Sequence, residues 1–334
     1  MSAQLSSAPR GQLIAAFAAV YVVWGSTYLA IRVAVETIPP FFMAATRFAV
    51  SGALLYGFLW FTKKIRPTKK QWRDNTIVGG FLMLGGNGLV CWAEQTVPSG
   101  IATLLVSAGP LAVVLLDWAI HAADPAKKRG SRPTLPIWIG LALGFAGLAL
   151  LVGPDVAHGT GGLTFLTVGA LIAATWLWSA GSLYGRYSTE PAEPFTASAI
   201  QMVTGSAWLF AASLLAGEPS TLTLAAFTPK AVGAWVYLTL VGSLVGFTAF
   251  VWLMKHSTPA KVYTYTYVNP IVAVFLGWLI LDEHVDSRIF VAASIIIAGV
   301  AIITISKVKK PAVTVTESAT LRASDSPAAA SAKT

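Results

Sequence analysis

Charge is scarce in this chain. Asp, Glu, Lys and Arg make up 11% of its 334 residues, against 55% that are hydrophobic. A soluble domain carries about 25% charge, and a soluble surface of this size could not be covered with less than half of that. The same deficit excludes a chain disordered throughout. Cysteine is scarcer still: Cys91 stands alone, which excludes a disulfide scaffold and leaves a small buried apolar residue as its simplest role. There is no P-loop, no HExxH and no Cys pair. The four histidines, His121, His158, His256 and His284, sit at the ends of hydrophobic runs rather than in a ligand cluster. The chain is therefore expected not to be an enzyme and to use no cofactor and no metal. Without an ATP-binding motif, any driving force would come from gradients or from a partner.

Long apolar runs are what the sequence does have. Crossing the hydrocarbon takes about 20 apolar residues as a helix. Ten segments qualify, at roughly 13–35, 40–61, 76–96, 99–121, 135–153, 163–186, 195–216, 231–255, 259–281 and 288–306. They are apolar all round and about twice the length of a barrel strand, so helices are predicted. Glycines such as Gly79, Gly80, Gly85, Gly86 and Gly88 would weaken a soluble helix but allow close packing in lipid. Connections such as 37–39 and 97–98 are short, which makes consecutive helices antiparallel neighbours. Arg10 precedes the first run without a convincing small-residue cleavage site, so an uncleaved first span is expected. The tail from Pro311 to Thr334, rich in Ala, Ser and Thr, is expected to be disordered and cytoplasmic.

The net charge is +9, from 23 basic and 14 acidic residues. Lys63, Lys64, Arg66, Lys69, Lys70 and Arg73 follow the second span, and Lys127, Lys128, Arg129 and Arg132 follow the fourth. If the spans alternate, 19 of the 23 basic residues fall on one side and only Arg32, Lys230 and Arg288 on the other, with Arg47 inside a span. The positive-inside rule then puts both termini in the cytoplasm. The charge marks topology and favours anionic lipid, so membrane lipid is an expected partner and nucleic acid is not.

The chain also resembles itself. A shift of 154 aligns Trp24 with Trp178, Leu29 with Leu183, Arg32 with Arg186 and Pro40 with Pro194. A shift of 160 aligns Gly86 with Gly246, Trp92 with Trp252, Pro110 with Pro270 and Trp118 with Trp278. Five spans per copy is an odd number, so the second copy would enter the membrane inverted, an architecture of many secondary transporters. The predicted fold is an all-α polytopic membrane protein of ten transmembrane helices. Residues 1–11 form the cytoplasmic N-terminus, 12–153 the first repeat, 154–306 the inverted second repeat and 307–334 the tail.

The residues that carry the repeat also carry a likeness. Trp24-Gly25-Ser26-Thr27-Tyr28-Leu29-Ala30-Ile31-Arg32, then Ile38-Pro39-Pro40-Phe41 and Arg47-Phe48, resemble the opening of an EamA domain of the drug/metabolite transporter superfamily. Gly86-Asn87-Gly88, Ala93-Glu94-Gln95, Val97-Pro98-Ser99-Gly100-Ile101-Ala102, Gly181-Ser182-Leu183-Tyr184-Gly185 and the run from Tyr265 to Gly277 resemble the YedA-like bacterial inner-membrane permeases. The likeness implies two inverted EamA repeats around a substrate cavity. It also implies export or exchange of a small metabolite, including amino acids, across the inner membrane. It departs at 121–136, where a longer basic loop replaces a short Gly-Glu turn; the second copy, Leu281-Asp282-Glu283-His284-Val285, stays closer to the pattern.

Polar and aromatic residues within the spans are the site candidates. Arg47 lies roughly 12 Å inside the second span at 1.5 Å per residue. A buried charge is a functional candidate by default, here either an anion clamp or a structural ion pair with Glu36 or Glu94. Glu94 sits at a span mouth, and Asp117 near the inner end of the fourth span is a site or an interfacial charge. Trp24, Tyr28, Trp178 and Tyr267 are deep aromatics that face a cavity or the packing; Trp92 and Trp252 are repeat partners. Tyr263, close to a span end, reads as an interface anchor. Asn87, Ser107, Ser182 and Asn269 could orient a solute or hold helices together. Pro110 and Pro270 are hinge candidates, because each removes a helix hydrogen bond at a matching position. The leading expectation is alternating-access transport of a small-molecule substrate by a monomer. A facilitative channel and a multidrug or organic-cation exporter are the alternatives.

Overall fold

The computed structural model describes residues 9–123, 133–158, 163–257, 262–263, 265–282 and 284–305. The loop carrying Lys127, Lys128, Arg129 and Arg132, the positions Lys261 and Glu283, and the tail from 306 lie outside the described residues. Among those described, every regular element is helical.

The first half runs α1 (Arg10–Val35), α2 (Pro40–Lys63), α3 (Lys69–Gly79), a π-helical segment π1 (Gly80–Gly88), α4 (Leu89–Ala93), α5 (Ser99–Val106), α6 (Gly109–Ala123) and α7 (Leu135–His158). The second half runs α8 (Phe165–Arg186), α9 (Pro194–Leu215), α10 (Glu218–Thr221), a 3-10 turn (Leu224–Ala226), α11 (Pro229–Tyr237), π2 (Leu238–Phe247), α12 (Thr248–His256), α13 (Tyr265–Leu281) and α14 (Ser287–Ile305). Among the described residues, seven helices or continuous helical runs are long and apolar enough to cross a membrane, and Leu135–Gly147, Val268–Leu281 and Ser287–Gly299 are shorter apolar stretches.

Helix starts follow local chemistry. Proline opens α2 and α9 at the first helical position, where its missing N–H costs nothing. Thr164 and Gln71's partner Thr68 cap α8 and α3 in reciprocal capping boxes. The Thr68 box corrects one expectation. Lys69, Lys70 and Arg73, read as loop residues, form the first turns of α3, so the third span begins seven residues before Thr76. The Thr-Lys-Lys-Gln pattern was the available signal. At the far end of the molecule Glu218, buried at the start of α10, accepts the backbone N–H groups of Phe41 (3.0 Å) and Phe42 (2.7 Å). Its carboxylate thus supplies the cap that α2 lacks, where the helix dipole favours a negative charge.

Large apolar side chains point outward all along the bundle: Phe58, Phe61, Phe145, Phe275, Trp278 and Phe290 are each more than half exposed. A belt of that kind fits contact with hydrocarbon rather than water. The interior is divided between the two halves of the chain. α2 lies along α9 and α7 along α14, while α8 packs on π1 and α1 on π2 and α13. Lys63, Lys64, Arg66, Lys69, Lys70, Arg73 and Arg186 gather at one end, here the Lys69 end. Arg32 and Lys230 lie at the other, the Pro40 end.

Candidate functional site

Two spans of the first half and two of the second are broken where they meet, and the breaks surround a cavity of about 80 Å³. Pro110 has no N–H to offer the carbonyl of Val106, so the fourth span cannot continue through it. α5 stops at Val106, a turn follows at 107–108, and α6 resumes at Gly109; both Val106 and Gly109 line the cavity. On the other side Tyr263 occupies a turn whose carbonyl accepts from the N–H (3.1 Å) and the hydroxyl (2.7 Å) of Thr266, and Tyr263 and Tyr265 line the same cavity. The third and eighth spans contribute their π segments through Gly86, Asn87, Gly242, Ser243 and Phe247. A π turn widens the helix and disturbs its hydrogen-bond ladder, which is why such segments occur at functional sites.

The wall is largely aromatic. Trp24 of α1 stands edge-on to Trp178 of α8 with ring centroids 5.6 Å apart and edge-on to Tyr265 at 5.2 Å. Phe250 lies behind, 4.9 Å from Trp24 and 5.6 Å from Trp178. Glycine makes this approach feasible. A Cβ on Gly86 would stand 2.6 Å from the Trp178 ring, and one on Gly246 would stand 2.7 Å from the Trp24 ring. Each tryptophan therefore rests on a π-segment glycine of the opposite half of the chain.

Arg47 is the one basic residue among the described residues of the lining. It is 2% exposed, donates from Nη2 to Oδ1 of Asn87, and holds its guanidinium carbon 4.4 Å from the Phe48 ring centroid. Asn87 also accepts from the Cys91 thiol at 3.4 Å. The expected ion pair with Glu36 does not form: Glu36 is bonded to Lys230 (3.3 Å) near the Pro40 end. Glu94 is fully buried and acts on Arg47 and Tyr28 through its field; the hydrogen-bonding partner of Arg47 is an amide.

Of the residues singled out from sequence, the structure brings Trp24, Tyr28, Arg47, Asn87 and Trp178 to the cavity. It puts the others elsewhere. Trp92 borders a polar depression at the Pro40 end with Glu36, Gln95 and Glu218. Ser107 and Ser182 donate to carbonyls of their own helices, Leu104 (2.6 Å) and Trp178 (2.8 Å). Trp252 stacks on His256 at 4.2 Å. The Asn269 amide is placed to donate to the carbonyls of Tyr21 (3.2 Å) and Tyr265 (3.1 Å), tying α13 to α1. Asp117 accepts from the Tyr187 hydroxyl at 2.6 Å toward the Lys69 end. Pro110 sits beside the cavity break, whereas Pro270 lines an outer apolar groove with Phe275, Trp278 and Ile289. The side chain of Tyr267 lies outside the described residues. Tyr263, read as an interface anchor, is 4% exposed and belongs to the lining. Ser243, Thr27, Thr175 and Phe247 were not singled out at all; the only signal for them was their spacing from the repeated Gly and Trp positions.

Comparison with known proteins gives a consistent picture. The EamA-like transporter family matches this chain twice, over residues 10–153 and 165–305. The chain is 33% identical to the uncharacterized inner membrane transporter YedA of Escherichia coli K12 over 302 residues, 90% of this chain and 93% of YedA. It is 22% identical to the uncharacterized transporter YoaV of Bacillus subtilis 168, across 84% of this chain and 92% of YoaV. One crystal structure superposes with a TM-score of 0.63 at 19% identity, covering 89% of this chain and 98% of that one.

Proposed function

The chain belongs to the EamA-like transporter family, and on that premise we propose that it is a secondary carrier moving a small metabolite across the inner membrane by alternating access. In this reading ten spans form two inverted repeats, both termini are cytoplasmic, and the direction is export or exchange. The observation that carries it is the exchanged contact at the cavity. Trp24 rests on Gly246 and Trp178 rests on Gly86, and each member of the first pair is the sequence-repeat partner of a member of the second. Two halves that embrace one cavity with the same pair of contacts can trade roles, opening it to either side in turn.

The decisive measurement is solute counterflow. Purified protein is first screened for metabolites that raise its melting temperature, since a ligand of the folded state stabilises it. The best stabiliser, loaded into proteoliposomes, is expected to drive saturable uptake of the same labelled solute. Flux that rises linearly without saturation or trans-stimulation would indicate a pore and end the carrier reading.

A further inference from the structure

Four residues that line the cavity each carry a hydrogen-bonding atom that is shut off from solvent and has no partner: Nε of Arg47, Nε1 of Trp178, Oγ of Ser243 and the hydroxyl of Tyr263. They come from α2, α8, π2 and the turn at Tyr263, segments far apart in sequence. Arg47 Nε and Trp178 Nε1 can only donate. Folded proteins meet nearly all such groups, because an unmet buried donor costs folding free energy. Four around one cavity of about 80 Å³, two of them groups that can only donate, point to a missing acceptor.

The lining also indicates the sign of the charge. Arg47 faces the cavity and no Asp or Glu is among its described lining residues. Asn87 engages Nη2 and leaves Nε without a partner, a charged donor suited to a carboxylate oxygen. Glu94, fully buried outside the lining, acts on Arg47 through its field. The rings of Trp24, Tyr28 and Tyr265 supply flat apolar walls for the rest of the molecule.

We propose that the cavity binds a small monocarboxylate with a flat apolar body, its oxygens taken by Arg47, Trp178 and Ser243, and that no ammonium group is required. The proposal rests on the carrier reading for its role as substrate site, but binding is measured apart from transport.

Benzoate, benzamide and benzamidinium share one shape and differ in charge. With the purified full chain in detergent, benzoate is expected to raise the melting temperature saturably. Benzamide should need at least about tenfold more, the loss expected when a charge-assisted bond becomes neutral, and benzamidinium should have no effect. Ser243→Ala and Trp178→Phe each delete an unmet group. Both are expected to weaken benzoate binding several-fold, and in Ser243→Ala, which gives up no packed ring, the empty protein should melt no lower than the parent, a split that a purely structural role would not produce. Arg47→Lys keeps the charge, loses the fork, and should weaken benzoate by about tenfold or more. Stabilisation by benzamidinium equal to that by benzoate, no effect of benzoate, or unchanged benzoate binding in both Ser243→Ala and Trp178→Phe would each overturn the proposal. Benzoate binding without any saturable counterflow would remove the carrier reading and leave the anion site standing; counterflow by a solute that benzoate does not displace would do the reverse.

Discussion

Trp24 and Trp252 are both membrane tryptophans, and the chain uses them differently. Trp24 lines the cavity, wedged among Trp178, Phe250 and Tyr265, whereas Trp252 stacks on His256 outside it. Truncating a buried tryptophan costs about 3–5 kcal/mol, so stability and function must be separated. Trp24→Phe, which keeps a ring, is expected to leave an inserted protein whose saturable counterflow falls at least about tenfold, a loss of roughly 1.4 kcal/mol in binding. Trp252→Phe should transport like the parent. Equal transport by both variants would remove Trp24 from the site. Glu218 shows the opposite case, a polar residue with a structural task. It bonds two N–H groups at the start of α2, so Glu218→Ala should lower stability by about 1–2 kcal/mol, as loss of a helix cap does. The melting temperature should drop while the solute concentration for half-maximal flux stays put. Trp24 was visible from its place on an aromatic helix face. Glu218 was not, because its partners lie across the fold and nothing nearby in sequence announces them.

At the scale of elements, the apolar runs and the proline starts were readable because hydropathy and the missing N–H act locally. The two π segments were not. Each is an apolar, Gly-containing stretch that satisfies an α-helical pattern equally well; in the fold each holds a glycine that meets a tryptophan from the other half of the chain. Gly86 and Gly246 are those glycines. A methyl group at Gly86 would stand 2.6 Å from Cε3 of Trp178, and one at Gly246 would stand 2.7 Å from Nε1 of Trp24. Both neighbours are rigid rings with other aromatic rings packed against them, so neither can swing aside. Gly86→Ala and Gly246→Ala are each expected to cost about 1–3 kcal/mol, the usual penalty for overpacking, and to abolish counterflow. Gly57, with open space around its Cβ position, is the control: Gly57→Ala should melt at or above the parent temperature, since alanine is the better helix former. If Gly86→Ala behaved like Gly57→Ala, the tryptophan-on-glycine contact would lose its importance.

For the whole molecule, the informative feature is where the two halves differ. Arg32 of α1 is half-buried and donates to the carbonyls of Glu94 and Gln95, at the C-terminal end of the third span. A cation there meets the negative end of a helix dipole. Its repeat counterpart, Arg186 of α8, is exposed at the Lys69 end. On the proposed carrier reading this asymmetry has a use: halves that exchange conformations would have Arg32 close the Pro40 end in one state and Arg186 close the Lys69 end in the other. Charge-assisted bonds of this kind contribute about 1.5–3 kcal/mol, enough to shift a two-state balance by about tenfold or more. The test uses a Cys91→Ser background, because Cys91 is the single native cysteine. Single cysteines at Lys69 and Lys230 first establish sidedness: an impermeant maleimide should reach the former only from the cytoplasm and the latter only from outside. A cysteine at Ile31, which lines the cavity toward the Pro40 end, then reports access. Adding Arg32→Ala should raise its labelling from outside by about tenfold, because the closed end loses its latch. Adding Arg186→Ala should lower it or leave it unchanged, because the state that residue stabilises is the one open to the outside under the opposite assignment. Equal labelling of Ile31→Cys in all three backgrounds would mean that Arg32 holds a static structure, and the exchange of roles between the halves would have to rest on the tryptophan contacts alone.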